Sequence, residues 1–389
     1  MLTEQRPSVR IGINAQKLSR SQSYHAAGSS RYVSNLVREL RAIDAPEQVI
    51  AYVREAHVPP ELSPTRRFRI RPSRWPTDHP MARIAWEQLV LPRLLDADRV
   101  SLLHGPVNAV PLVWRGKSIV TILDLAFLAM PSAFNRANRA YLIWMVHLAA
   151  RRADRVITIS ESTRQDVIRL LHVDPQRVVR VHLGVDARLR PIDDQRALAA
   201  FRSLHGLPDG YILYLGTIEP RKNLVRLIDA YAELRRRGVT TWPLVLAGGR
   251  GWGDDPIFQR AEQTGLGESI RFVGFVRDDE MPLWYNAASL FVYPSEYEGF
   301  GLPPLEALAC GTPVVASNSS SLPEVLGEAA VLVDPTATSA IVEGMQRLIE
   351  EESLRARLSS AGPPQAKAFT WQRMAGETLA VYRAVGEFS

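Results

Sequence analysis

Cysteine is almost absent: Cys310 is the single one in 389 residues. That excludes an internal disulfide framework and any multi-cysteine zinc or iron–sulfur site, and it permits a reducing compartment. Long apolar runs are missing as well. The uncharged stretch 100–114 holds Gly105, Pro106 and Pro111, and 307–323 is cut by Gly311 and Pro313, so neither reads as a bilayer-spanning helix. The N-terminus, MLTEQRPSVR, lacks an apolar core ahead of a cleavage site, so no secretory signal is expected and the chain reads as cytoplasmic. Lysine is scarce, 4 residues against 43 arginines. No recognition helix, zinc finger or RNA-binding signature accompanies those arginines, so nucleic acid is not an expected partner.

What is present is a globular composition, 46% hydrophobic and 23% charged, in a length that suits two domains or one large α/β unit. Charge is divided unevenly. Residues 1–190 carry 29 Lys and Arg against 16 Asp and Glu, and residues 191–389 carry 18 against 25. A basic first half suits an anionic partner such as a lipid surface or a phosphate-bearing acceptor, unless the arginines only decorate solvated faces.

Short Val- and Ile-rich runs alternate with amphipathic stretches throughout. The runs 9–14, 48–53, 100–105, 118–123, 155–160 and 177–182 read as strands, with helices over 29–42, 81–95, 135–153 and 161–171. After a polar linker at 184–195, strands are expected at 211–216, 243–249, 269–274, 289–294, 313–317 and 330–334. Helices are expected near 223–237, 278–287, 303–310, 337–350 and 353–368. This is the grammar of β-α-β units building parallel sheets covered on both faces. Two such domains, 1–190 and 191–371, would face one another across a cleft, with ligands beyond the carboxyl ends of the strands. The segment 372–389, apolar at Met374, Leu379, Tyr382 and Val385, is expected to form a helix packing back on the first domain.

The most informative stretch runs from Glu298 through Gly-Phe-Gly-Leu-Pro-Pro-Leu to Glu306. Pro303 and Pro304 suit the first turn of a helix. Backbone N–H groups at Phe300, Gly301 and Leu302 would then be open to phosphate or sugar oxygens. Glu306, one turn into the helix, would accept hydrogen bonds from a ribose diol, and Glu298, on the loop, would hold hydroxyls of a transferred sugar. Arg221 and Lys222 follow the run YILYLG and precede a helix starting near Asn223, so two cations beside a helix N-terminus make a phosphate site.

On these motifs the chain resembles the retaining GT-B glycosyltransferases of group 1, also called family 4, whose hallmark is a pair of glutamates with seven residues between them. LGTIEPRKNL (215–224), LAGGRGWG (246–253), FVGFV (272–276), YPSEYEGFGLPPLEALACGTPVVAS (293–317) and SLPEVLGEAAVLVDP (321–335) all look like its donor-domain signatures. The resemblance implies an α/β GT-B fold of two doubly wound, Rossmann-like domains. The first would bind the acceptor and the second a nucleoside diphosphate sugar. Implied donor-binding positions are Gly216, Thr217, Gly274, Phe275, Val276, Phe300, Gly301, Leu302 and Glu306, with Lys222, Arg221, Glu298 and Asp124 at the catalytic centre. Thr217 stands where many relatives carry arginine, which leaves the loop's charge to Arg221 and Lys222. Family likeness implies retention of configuration with no metal or other cofactor required.

In the first half, TILDLAFLAMP (121–131) resembles a family segment reading His-Asp-Leu, but here Leu123 precedes Asp124. Leucine neither titrates nor donates a hydrogen bond. A donor sugar lacking its 6-hydroxyl, a role taken over by another group, and weakened catalysis are competing explanations. The loop SYHAAGSSRY (23–32) resembles the family's Gly-rich closing loop, with Gly28 for close approach, Ser29 and Ser30 as helix caps and His25 toward acceptor or phosphate. WEQLVLPRLL (86–95) and LLHGPVNAVPL (102–112) resemble mannosyltransferase-like members that build surface polysaccharides. The expected reaction is sugar transfer to a glycan or lipid-linked acceptor, with peripheral membrane contact through the basic half. The rivals are a silent nucleotide-sugar-binding subunit and a nucleotide-sugar epimerase. No motif selects base, sugar, acceptor, linkage or oligomeric state.

Overall fold

The computed structural model describes residues 9–18, 27–45, 47–59, 62–131 and 136–386. The chain divides into two compact units, Met1–Gly184 with Trp371–Ser389, and Val185–Thr370. In the first unit the strands are β1 (Arg10–Asn14), β2 (Gln48–Arg54), β3 (Phe68–Ser73), β4 (Leu102–Gly105), β5 (Lys117–Ile122), β6 (Arg155–Thr158) and β7 (Val178–Arg180). They form one parallel sheet in the order β3-β2-β1-β4-β5-β6-β7. The second unit has β8 (Ile212–Leu215), β9 (Leu244–Ala247), β10 (Ile270–Gly274), β11 (Leu290–Tyr293), β12 (Val314–Ser317) and β13 (Val331–Val333). Their order is β10-β9-β8-β11-β12-β13, again parallel.

Central strands are buried on both faces, which is why they read as continuous apolar runs. β3 was not expected from the sequence. Its residues FRIRPS alternate with arginine and include Pro72, a pattern tolerated only at a sheet edge, and β3 is an edge. The stretch expected as one helix over 81–95 is instead Pro80–Ala85, a π-helical turn Trp86–Val90, and Leu91–Ala97. Helices Gln195–Leu204, Asp255–Gln263 and Leu322–Leu326 were likewise not foreseen. The first of them lies partly in the segment read as linker, where Asp194 caps it by accepting the N–H groups of Arg196 and Ala197.

In both sheets strand order reverses beside the first strand of the unit, between β1 and β4 and between β8 and β11. Chains leaving the carboxyl ends of such a pair depart to opposite faces and leave a crevice for ligands. Each unit therefore has its own switch point, ending at Asn14 in β1 and at Leu215 and Tyr293 in β8 and β11.

The last helix, Trp371–Gly386, belongs to the first unit and buries Met374, Leu379, Tyr382 and Val385. Tyr382 reaches β4, where its hydroxyl lies 2.6 Å from His104 Nδ1. The other ring nitrogen is 2.7 Å from Thr121 Oγ1, which is 2.9 Å from the Tyr32 hydroxyl. Burial pushes the His104 pKa down to about 3, so the ring is neutral and structural. Tyr382→Phe strands one ring nitrogen in the core and should cost about 1–3 kcal/mol, read as a lower denaturant midpoint at unchanged slope.

Candidate active site

At the second unit's switch point two loops converge. After β8 the chain passes Gly216 and Thr217, makes one tight turn at Pro220–Lys222, and enters the helix Leu224–Arg236 through Asn223. Asn223 takes the left-handed conformation (φ 61°) and its side-chain amide donates to the carbonyls of Pro294 and Pro335. That pins the cationic turn against the loop that follows β11. There, Glu298 leads to Gly301, the residue before the helix Leu302–Ala309. Gly301 has φ 97°, and a Cβ placed on it would lie 2.5 Å from Leu322 Cδ2, so only glycine fits this turn.

The side chains of both loops meet at one carboxylate. Lys222 Nζ is 2.6 Å from Glu298 Oε1, and Arg221 Nη1 is 3.2 Å from Glu298 Oε2. Tyr293, the last residue of β11, receives a 2.7 Å hydrogen bond from Lys222 and donates one of 3.1 Å to Glu298. Ser295 Oγ adds a 2.6 Å bond to the same Oε1. Arg221 also donates to Glu219 Oε1 (2.8 Å) and to the Tyr297 carbonyl (2.6 Å). Burial works against the charge on Glu298, but Arg221 and Lys222 outweigh it and hold the carboxyl at about 2. Lys222 is lowered by burial and by Arg221, with Glu298 opposing. In this structure Glu298 and Glu219 offset both charges, and Lys222 is only 6% exposed.

Glu306 is placed differently from Glu298. It is 2% exposed, and its Oε2 accepts the Tyr285 hydroxyl at 2.9 Å. Between the two glutamates runs an aromatic row, with Tyr285 to Phe291 at 5.5 Å and Phe291 to Tyr293 at 5.9 Å between ring centroids. Phe300 and Leu302 are also buried, Phe300 edge-on to Phe369 at 5.7 Å. The turns beyond β8, β9 and β10 form a second group. Gly216 N–H donates to Ala247 O, and Gly248 N–H donates to Gly274 O at 2.7 Å. Gly248, at φ 148°, faces the Gly216 carbonyl so closely that a Cβ could not be accommodated. Tyr214 donates to the Thr217 carbonyl at 2.9 Å. Gly274 sits at φ 74°, Phe275 is 41% exposed and Val276 is buried.

In the first unit, Asp124 Oδ1 accepts the Ala126 N–H at 3.1 Å, just ahead of the short helix Ala126–Ala129. Leu123, in place of the family histidine, is half-buried, and its N–H donates to Asn108 Oδ1. Gly28 and Ser29 lie in the first turn of the helix Ala27–Ala42, with Gly28 exposed and unconstrained by neighbours. Ser30 ties that helix down by donating to the Lys17 carbonyl at 2.8 Å. His25 lies outside the described residues.

Sequence reasoning missed Tyr293, Ser295, Asn223 and Glu219. All four flank residues it did select. Tyr293 was legible as the last residue of a strand leading into the glutamate loop, the position from which a side chain reaches the switch point.

The Glycosyl transferases group 1 family model matches residues 197–365, and the Glycosyltransferase Family 4 model matches residues 26–189. O-antigen chain mannosyltransferase B of Escherichia coli is 35% identical over 280 residues, which cover 72% of this chain and 73% of that protein. Among solved structures, sucrose-phosphate synthase from Thermosynechococcus elongatus superposes with a TM-score of 0.78 at 22% identity, covering 98% of this chain and 100% of that one. Anabaena HepE, solved in complex with UDP and glucose, gives a TM-score of 0.73 at 18% identity, covering 98% and 100%. Identities this low carry the fold alone. Neither the silent-subunit nor the epimerase reading finds support in these relatives. The chain belongs to the group 1, family 4 glycosyltransferases of GT-B fold.

Proposed function

We propose that the second unit binds a nucleoside diphosphate sugar and that the enzyme transfers its hexosyl group to a glycan or lipid-linked acceptor held by the first unit. The carrying observation is the convergence of Arg221, Lys222 and Glu298 at the β8/β11 switch point. An arriving diphosphate competes with Glu298 for the two cations. Each carboxylate oxygen so released is then an acceptor for sugar hydroxyls, so the same three residues read both ends of the donor. As the bond from the anomeric carbon to the phosphate oxygen breaks, negative charge grows on the diphosphate, where Arg221 and Lys222 are fixed in place to receive it.

Retention follows in this reading if the acceptor oxygen bonds the anomeric carbon on the face the phosphate leaves, its proton passing to the departing phosphate oxygen. No metal is invoked, because the two cations supply the charge. Among the described residues no group of three His, Cys, Asp or Glu side chains is arranged to hold a metal ion. The similarity to an O-antigen mannosyltransferase supports a mannosyl donor and a place in surface-polysaccharide assembly. Among the described residues no helix is long and apolar enough to cross a membrane. The basic first half supports peripheral contact with the inner membrane face.

The test offers GDP-mannose, UDP- and dTDP-hexoses and their 6-deoxy counterparts to the full chain with a mannose-terminated acceptor. Transfer from one donor is expected, with the anomeric configuration retained by NMR and the rate unchanged in EDTA. Turnover without a new glycosidic bond, or binding without turnover on any acceptor, would overturn the assignment.

A further inference from the structure

The first unit has a polar cluster at its own switch point that the donor chemistry does not use. Asn14, the last residue of β1, is 7% exposed and donates through Nδ2 to Glu87 Oε1 at 3.0 Å. Its Oδ1 is buried with no hydrogen-bond partner among the described residues. Glu87 is 8% exposed and comes from the π-helical turn Trp86–Val90, and the indole N–H of its neighbour Trp86 is a second buried polar atom without a partner among the described residues. Arg83 and Lys17 lie within electrostatic reach of Glu87, yet among the described residues neither forms an ion pair with it. Tyr141, on the helix Arg136–Arg152, is in reach of both Arg83 and Glu87.

This arrangement is costly to a folded protein. Burial raises the Glu87 carboxyl above its ordinary value, and burial together with Arg83 brings Lys17 down to about 8. A buried carboxylate answered by a single amide donor, beside an orphaned amide oxygen, leaves hydrogen-bonding capacity unfilled. π-turns inserted in α-helices cluster at functional sites, and this one turns Glu87 toward the end of β1. Unfilled acceptors, a partly desolvated ammonium and a nearby phenol are the side-chain set that grips vicinal hydroxyls of a sugar ring. The opposed charges of Glu87 and of Lys17 and Arg83 make the cluster a poor host for a simple anion.

We propose that Asn14, Lys17 and Glu87 form a saccharide subsite of the first unit that binds the acceptor sugar, with Glu87 accepting its hydroxyl protons. This rests on the glycosyltransferase reading above and adds the group that recognises the acceptor.

The test measures binding of mannobiose to the full chain by saturation-transfer NMR, alongside GDP and UDP binding by calorimetry and the thermal midpoint. Wild type binds mannobiose. Glu87→Gln, of the same shape, and Lys17→Met weaken it at least about tenfold, the loss of one or two hydrogen bonds to a charged group, while nucleotide affinity is unchanged. Because burial disfavours a charge on Glu87, Glu87→Gln also raises the thermal midpoint at neutral pH, whereas removal of a carboxylate with a purely structural role would lower it. The proposal is overturned by undetectable mannobiose binding to wild type, by equal binding to Glu87→Gln, or by inorganic phosphate displacing the sugar from a Lys17-dependent site. Absence of nucleotide binding with mannobiose binding intact would instead count against the donor reading alone.

Discussion

Lys222→Ala is expected to lower kcat/KM for sugar transfer by about 10²- to 10³-fold, the usual loss when one preorganised charge at a developing anion is removed. The ammonium sits 2.6 Å from Glu298 and 2.7 Å from the Tyr293 hydroxyl, so it is held in position before any substrate arrives. Its removal takes away one of the two cations proposed to receive the leaving diphosphate, and Arg221 alone remains against Glu298 and Glu219. Lys222→Met, which keeps most of the stem, separates lost charge from lost packing. Donor turnover near the wild-type rate in a folded Lys222→Ala protein would remove Lys222 from the mechanism.

Glu298→Gln is expected to act first on stability. In the folded chain Glu298 stays ionised down to a pKa of about 2, against an ordinary value of 4.5. Its contribution is therefore whole above pH 4.5 and is lost as pH falls from there through 2, because the unfolded chain takes up the proton first. A depression of this size corresponds to about 3 kcal/mol at neutral pH. The variant also leaves Arg221 and Lys222 buried with less opposing charge. Urea titrations at pH 7 and pH 3 check this: the wild type should lose stability between the two, and the variant should lose less. Equal acid sensitivity in the two proteins would show that Glu298 does not carry this term.

The loops of the candidate site were legible because their chemistry is written locally. Gly301 before Pro303 and Pro304, two cations before Asn223, and strands of Val and Ile ahead of each loop all act within a few residues. What escaped the sequence depends on partners distant in the chain. Glu219 draws Arg221 sideways, Tyr293 bridges Lys222 to Glu298 from another strand, and Tyr285 claims Glu306 from a neighbouring helix. Edge strand β3 escaped for a different reason: half its surface is solvent-facing, so burial left no apolar run to read. The π-turn at Trp86–Val90 is invisible to periodicity, since a single inserted residue shifts the helical phase without altering composition.

The partnership of His104 with Tyr382 has a consequence for biosynthesis. The first unit is begun by residues that precede Val185–Thr370 in the chain and finished by the helix that follows it, so the whole of Val185–Thr370 is made in between. Until the closing helix emerges, the imidazole and the sheet face around it have no cover, so the second unit is the first that can complete its own fold. A fragment ending at Gly184 is thus an unfinished half, and expressing it alone should yield aggregation-prone chain rescued by supplying 371–389 in trans.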